Sequence, residues 1–163
     1  IDAEQYWRLI GDGLGIEIDW RVALKADNDS WEGVHEDMVE LARELHAAGV
    51  PIALLSNEPR ELTALTRARR EWIALFAPVV FSGEVGLAKP DPAIFRLGVD
   101  KLGFPADEIV VVGDSYDKDI VPATRIGCQT IWLKSIGWSA YKGNETADIV
   151  LSDFTEIKQV FAL

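Results

Sequence analysis

The sequence predicts an α/β fold in which a mostly parallel β-sheet is covered by helices on both faces. Short apolar runs of strand length alternate with stretches in which apolar residues recur at helical spacing. The runs contain few polar residues, as is typical of strands buried on both faces. Strands that alternate with helices are joined by right-handed crossovers, so we expect a parallel sheet as the middle layer of a three-layer sandwich.

The first 30 residues are predicted to form two short helices. Apolar side chains recur from Tyr6 to Leu14 and from Ile16 to Leu24, and Gly11, Gly13 and Gly15 lie between or within these stretches. The glycines follow a helical pattern rather than a strand, so they indicate a turn that ends a helix and not a dinucleotide-binding loop.

The strands and helices of the sheet layer follow in order after these helices. An amphipathic helix is predicted from Val34 to about Ala48, where Gly49 and Pro51 end it. Strands are predicted at 52–56, 79–81, 109–113, 130–133 and 148–151, helices at 61–70, 91–102 and 117–126, and a closing helix from Thr155.

Composition and charge limit the classes of partner. The chain has 163 residues, 48% of them hydrophobic, and a formal net charge of -11. Such a charge repels a phosphate backbone, so nucleic acid is not expected as a partner. An anionic phosphate ester would be repelled as well, so a site for one needs local positive charge or a bound cation.

Cysteine content and hydropathy indicate a cytoplasmic protein. The single cysteine, Cys128, excludes an internal disulfide and a cysteine-based zinc cluster, and it is compatible with a reducing compartment. The first residues lack the basic and apolar regions of a signal peptide, and no apolar run approaches the roughly 18 residues of a membrane span. We therefore expect neither export nor membrane insertion.

Polar residues follow the predicted strands at three places. Ser56 and Asn57 come after the strand at 52–56, Lys89 precedes a helix, and Asp114 and Asp119 follow the strand at 109–113. Ligands of parallel sheets bind beyond the carboxyl ends of the strands, so these residues are expected to share one crevice.

Each of these residues alone has a simpler explanation. Ser56 is a common kind of turn residue, Lys89 fits a solvated loop, and acidic residues complement the dipole at a helix N-terminus. Their order along the chain, each at the end or the entrance of the appropriate element, favours a functional site over these explanations.

The three stretches together resemble the second, third and fourth motifs of the haloacid dehalogenase-like (HAD) superfamily of hydrolases. The resemblance rests on Ser56-Asn57 after a strand, on Lys89-Pro90-Asp91-Pro92, and on Val111-Val112-Gly113-Asp114 with Asp119. It implies a HAD-like Rossmannoid core over residues 31–163. Residues 1–30 resemble the remnant of the helical cap that this superfamily inserts into its core.

The resemblance also implies a role for each residue. Asp114 is expected to be a ligand of Mg²⁺, Asp119 to orient Lys89 or a metal-bound water, and Lys89 to offset the charge of the phosphoryl group. Ser56 is expected to donate its hydroxyl to a phosphoryl oxygen, and Asn57 to bind substrate at the same place. The acidic fourth motif favours a Mg²⁺-dependent phosphatase, acting on a small phosphorylated metabolite through an aspartyl-phosphate, over a metal-free dehalogenase.

The first motif of the superfamily, a strand that ends in Asp-x-Asp and carries the nucleophile, is not evident. Asp2-Ala3-Glu4 has no strand before it, and Asp27-Asn28-Asp29 has only a short, charged lead-in, so we interpret residues around Asp27 as a link from cap to core. In the superfamily the first strand lies between those that correspond here to the strands ending at Ser56 and Gly113. A gap is therefore expected there, and the chain alone is expected to be inactive.

Two other classes of function are compatible with these residues. A non-catalytic phosphate-binding or interaction module would keep Ser56, Lys89 and Asp114 without the nucleophile. A receiver-like signalling domain also has an acidic pocket and a lysine, but its acceptor aspartate would need to end an early strand. The loop at 134–141, with Trp138, is interpreted either as a border of the site or as a surface loop with a packed tryptophan.

Overall fold

Helices and strands alternate along the chain, as the sequence predicts. The computed structural model describes residues 2–30, 33–134, 147–153 and 156–161. In order, the elements are α1 (Ala3–Leu14), α2 (Trp20–Ser30), α3 (Glu36–Ala47), β1 (Leu54–Ser56), α4 (Arg60–Arg69), β2 (Val79–Phe81), α5 (Ser82–Val85), α6 (Pro92–Leu102), β3 (Val110–Gly113), α7 (Val121–Arg125), β4 (Gln129–Leu133), β5 (Ile149–Leu151) and α8 (Ile157–Val160). Single 3₁₀ or π turns occupy Glu71–Leu75, Ala106–Glu108 and Tyr116–Ile120.

The first two helices are joined by a glycine turn, which confirms the prediction for this segment. Asp2 caps α1, because its carboxylate accepts the Gln5 N–H at 2.8 Å and the Gln5 side chain accepts the Asp2 N–H at 3.3 Å. Gly15 ends the helix with φ of 68°, a conformation that other residues adopt at a cost. Asp2 is therefore a helix cap and does not end a strand.

Residues around Asp27 are helical, which contradicts a strand that ends here; the interpretation of these residues as a link from cap to core stays a prediction. Helix α2 starts after Asp19, whose carboxylate accepts the Arg21 N–H at 3.0 Å, and it continues to Ser30. Alanine, leucine and lysine before Asp27 favour a helix, and their propensity outweighs the weak strand character of this stretch. Because Asp27 lies within a helix and not after a strand, the structure also contradicts it as the nucleophile.

The strands form two parallel sheets. β1 pairs with β2, with Leu54 opposite Val79 and Ser56 opposite Phe81. β4 lies between β3 and β5 in the second sheet. Asp148 joins the last two strands, since its carboxylate accepts from the Thr130 N–H at 2.8 Å and from the Thr130 hydroxyl at 2.9 Å.

Two apolar clusters hold helices against the sheets. One joins α3 to β4, β5 and α8 through Leu41, Ile131, Leu133, Leu151 and Ile157. The other joins β2 to α6 and α7 through Val80, Ile94, Phe95, Ala123 and Cys128. Among the residues described, no helix has both the length and the hydropathy of a membrane span.

A cleft separates the two sheets where the sequence predicts a missing central strand. Within the described ranges, β1 pairs only with β2, and β3 pairs only with β4. A cleft of about 720 Å³ lies between them, lined by Leu54 and Leu55 on one side and by residues 110–113 on the other. Val112 is 38% exposed there, although an apolar residue of a central strand is normally buried. The expected gap is therefore present.

Candidate active site

The candidate site lies where the carboxyl ends of β1 and β3 meet the cleft. Lys89, Asp114 and Asp119 all line this cleft. Lys89 comes from the loop between α5 and α6, and Asp114 directly follows β3. Ser56, the last residue of β1, is half-buried and is not among the residues that line the cleft, but its neighbour Asn57 contacts Lys89. The parallel strands thus bring together residues that are far apart in sequence.

An ion pair between Lys89 and Asp119 lies at the centre of the site. The Lys89 ammonium lies 2.6 Å from one Asp119 carboxylate oxygen, and the Ser115 N–H donates to the other at 3.0 Å. The Lys89 side chain is 18% exposed and that of Asp119 is 7% exposed. A carboxylate buried this deeply needs such partners, and the Lys89 ammonium and the Ser115 amide supply them.

A tight turn after β3 carries Asp119 back to the strand end. The Ser115 carbonyl accepts the Asp119 N–H at 2.8 Å, within a turn of π-helix, a form that is frequent at functional sites. A Cβ on Gly113 would come within 2.4 Å of the Asp119 Cβ. Gly113 is therefore required for Asp119 to approach β3. The Gly-Asp pair at the end of an apolar run is the sequence signal for this role.

The loop that holds Asp114 is fixed from β4. The Trp132 indole N–H donates to the Asp114 carbonyl at 3.0 Å, and the Trp132 ring lies 5.0 Å from that of Tyr116. Trp132 is 1% exposed. The sequence alone indicates only that Trp132 lies in a buried strand, because the contact depends on how β4 pairs with β3.

Asp114 is the residue best placed to hold a metal ion. It is only half-buried and lines the cleft, whereas both carboxylate oxygens of Asp119 already accept hydrogen bonds. Across the part of the chain that the structure describes, no three His, Cys, Asp or Glu side chains cluster as a metal site. Mg²⁺ is commonly held by one or two carboxylates, with water and phosphate oxygens as its other ligands. Asp114 fits such a site as its one carboxylate ligand from the described residues.

Asn57 contacts the backbone of the lysine loop. Its side-chain amide donates to the Lys89 carbonyl at 2.8 Å, and its side-chain carbonyl accepts the Lys89 N–H at 2.8 Å. That Asn57 binds substrate stays a prediction, and no signal in the sequence indicates that its side chain meets the Lys89 backbone.

Cys128 is unsuited to act as the nucleophile. It is 5% exposed and packs in the core with Val80 and Phe95. Burial raises the pKa of its thiol, so the reactive thiolate is rarer than in an exposed cysteine. The two interpretations of the loop at 134–141, as a border of the site or as a surface loop with a packed Trp138, concern residues of which only Lys134 lies within the described ranges.

A family model and the geometry of the site agree. The model that describes the haloacid dehalogenase-like hydrolases matches residues 3–127. The chain belongs to the haloacid dehalogenase-like hydrolases. This HAD membership confirms the resemblance and the α/β fold that it implies.

Curated relatives of this HAD chain include several phosphatases. It is 30% identical to a phosphoserine phosphatase of Thermus thermophilus over 70% of this chain and 45% of the relative. It is 32% identical to a phosphoglycolate phosphatase of Pectobacterium atrosepticum over 76% of this chain and 51% of the relative. The chain therefore spans about half the length of the curated relatives it matches.

Solved HAD structures share the fold of this chain. A HAD phosphatase from Thermococcus onnurineus aligns with a TM-score of 0.73 and 20% identity, over 95% of this chain and 70% of that protein. An L-2-haloacid dehalogenase aligns with a TM-score of 0.75 and 22% identity, over 96% of this chain and 69% of that protein. A phosphatase and a dehalogenase match it equally well, so the fold alone does not decide the chemistry.

Proposed function

We propose that this chain forms most of the site of a Mg²⁺-dependent phosphohydrolase that acts through an aspartyl-phosphate. The observation that carries the proposal is the buried Lys89–Asp119 ion pair beside Asp114 at the carboxyl end of the cleft. A cation and a carboxylate that line the cleft at one edge of a parallel sheet suit phosphoryl transfer, in which positioning and neutralisation of charge supply most of the catalysis.

Each side chain of the site has a proposed role. Lys89 offsets the negative charge of the nucleophile and the phosphoryl group, and Asp119 holds its ammonium in place. The Ser56 hydroxyl donates to a phosphoryl oxygen. Asp114 holds Mg²⁺, which when bound neutralises charge on the phosphoryl oxygens. The positive charge of Mg²⁺ would also offset, at the site, the net charge of -11 that repels an anionic substrate.

The nucleophile is proposed to lie on a further parallel strand in the cleft between β1 and β3. That strand would pair with the free edges of both sheets and would cover Val112. A parallel strand also ends at the same edge as its neighbours, so an Asp-x-Asp at its carboxyl end would lie beside Lys89 and Asp114. Its first carboxylate attacks phosphorus, and its second acts as general acid and base.

The proposed substrate is a small phosphorylated metabolite. Curated relatives named as phosphoserine, phosphoglycolate and glyceraldehyde 3-phosphate phosphatases support this class. We further propose that residues 1–30 belong to a cap over the site, that residues 31–163 form the core, and that the protein acts in the cytoplasm without nucleic acid or membrane partners.

A second candidate is a non-catalytic phosphate-binding or interaction module of HAD origin. It is favoured by one observation: among the described residues no aspartate follows a strand at the place where the nucleophile belongs. The sequence that precedes Ile1 in the gene distinguishes the two, because an apolar strand that ends in Asp-x-Asp supports the enzyme.

The metal assignment is tested on a version of the chain that includes the proposed strand. Hydrolysis of an aryl phosphate should stop with a chelator and return with Mg²⁺, and Asp114→Asn should abolish the return. Asp117→Asn, the same change at an exposed position of the next turn, is the matched control and should leave the return intact. Full activity in the presence of chelator would overturn the assignment.

A further inference from the structure

The side chain of Asn57 occupies both backbone polar groups of Lys89. Its amide N–H donates to the Lys89 carbonyl and its carbonyl accepts the Lys89 N–H, each at 2.8 Å. The two residues are 32 positions apart in sequence. A primary amide carries an NH₂ donor and a carbonyl acceptor side by side. The Asn57 side chain therefore makes with Lys89 the same two kinds of hydrogen bond that a neighbouring strand would make with its backbone.

This contact links the lysine loop to the end of the sheet. Two further hydrogen bonds of the loop are local: the Asp91 N–H donates to the Ala88 carbonyl at 2.9 Å, and the Asp91 carboxylate accepts the Ala93 N–H at 2.9 Å. These bonds shape the turn and start α6, but they do not connect the lysine loop to β1. Asn57 directly follows β1, so its two bonds set where the Lys89 backbone lies relative to the strand ends.

We infer that Asn57 is a positioning residue for Lys89. The two hydrogen bonds from Asn57 to Lys89, which we call the clasp, fix the Lys89 backbone. The Lys89 side chain then reaches Asp119 at 2.6 Å on the other side of the cleft. The structural part of this inference stands by itself, and its catalytic consequence rests on the proposed function. Asn57 would act on the reaction through the lysine, and its side-chain amide is engaged by the loop and not directed to substrate.

The clasp is tested first on the 163-residue chain, where no activity is needed. Asn57→Ala removes both bonds, so exchange of the Lys89 amide hydrogen should accelerate by about 10-fold, which corresponds to the loss of an ordinary hydrogen bond. Amides of β3 and β4 should keep their protection, which shows that the fold is intact. Asn28→Ala, the same change in α2, is the control and should leave Lys89 unaffected. An unchanged exchange rate at Lys89 in Asn57→Ala would overturn the inference.

Its catalytic consequence is tested in a version of the chain that carries the nucleophile strand. Asn57→Ala should lower kcat by about 10-fold or more with KM little changed. A loss confined to KM would mean that Asn57 contacts substrate, and the inference would fall.

A second variant and an independent readout keep the two claims separate. Asn57→Asp keeps the acceptor but faces the Lys89 carbonyl with an oxygen, so kcat should fall in this variant too, and an unchanged kcat would contradict the inference. If the unmodified enzyme hydrolyses no phosphate ester, the proposed function fails, while amide exchange at Lys89 still decides whether the clasp exists.

Discussion

The ion pair between Lys89 and Asp119 is expected to contribute both to the free energy of unfolding and to turnover. Lys89→Met keeps much of the apolar stem but leaves the Asp119 carboxylate buried without its cation. We therefore expect loss of turnover together with a decrease of about 1 to 3 kcal/mol in the free energy of unfolding. Denaturant unfolding of the 163-residue chain measures the second effect.

The double variant Lys89→Met with Asp119→Asn is the matched control for this interpretation. It removes the uncompensated charge, so part of the lost stability should return while turnover remains absent. An unfolding free energy that does not change in Lys89→Met would show that the pair contributes nothing, as many exposed ion pairs do.

Alanine substitutions at Gly113 and Gly98 distinguish the effect of close packing on stability from the effect of helix propensity. Alanine at Gly113 would meet the Asp119 Cβ at 2.4 Å, so we expect Gly113→Ala to destabilise the chain by about 1 to 3 kcal/mol. Gly98 lies inside α6, and an added Cβ would meet only Leu55 at 3.7 Å, an ordinary contact. Gly98→Ala should therefore stabilise by about 0.5 to 1 kcal/mol. Urea unfolding tests both, and equal effects of the two substitutions would contradict the packing argument.

That Lys89, Asp114 and Asp119 share one cleft could be predicted, because they lie in connections that follow a strand or precede a helix of a parallel sheet. Their partners could not. The contact of Asn57 with the Lys89 backbone and that of Trp132 with the Asp114 carbonyl depend on which strands are neighbours, and residue type alone does not encode this.

The connection between β1 and α4 contains a carboxyl group that should respond to pH. Glu58 donates its N–H to the Ser82 hydroxyl at 3.0 Å, and its carboxylate accepts from the Thr66 hydroxyl. Burial raises the pKa of Glu58 above its ordinary value of 4.5, although the Thr66 hydrogen bond opposes this. A raised pKa in the folded state favours folding below the unfolded pKa, and this contribution is lost as pH rises through the folded pKa.

Glu58→Gln should therefore stabilise the protein at neutral pH and have little effect at about pH 4, because glutamine resembles the protonated acid and still accepts from Thr66. Thermal unfolding at the two pH values measures the difference. Glu4→Gln, on the exposed surface of α1, is the control and should show a small effect at both. A larger gain for Glu58→Gln at the acidic pH would contradict the stated direction of the pKa shift.

Strands were easier to predict than the connections between them. The strand at 79–81 is found with the predicted bounds, and those at 52–56 and 109–113 are shorter at their first residues. Apolar runs identify a buried strand well, because both faces must be apolar. The segment Tyr116–Ile120 is a π turn, although the sequence predicts ordinary helix from 117 to 126. This wider turn has no signature in residue type.

The whole molecule is divided by its central cleft. Both sheets are parallel, and the strands on either side of the cleft have partners only on their far sides within the described residues. Such edges favour the addition of another strand. Lys89, Asp114 and Asp119 lie at the carboxyl end of this cleft, so the element that completes the sheet would also complete the proposed site.

The most direct test of the proposed function compares turnover by the 163-residue chain with turnover by the same chain extended through a strand that ends in Asp-x-Asp. The chain alone should be slower by roughly 10⁶-fold, by analogy with enzymes that lose their nucleophile. The extended protein should hydrolyse an aryl phosphate in the presence of Mg²⁺. Equal, Mg²⁺-dependent hydrolysis by the two proteins would contradict the proposal that the nucleophile comes from the strand in the cleft.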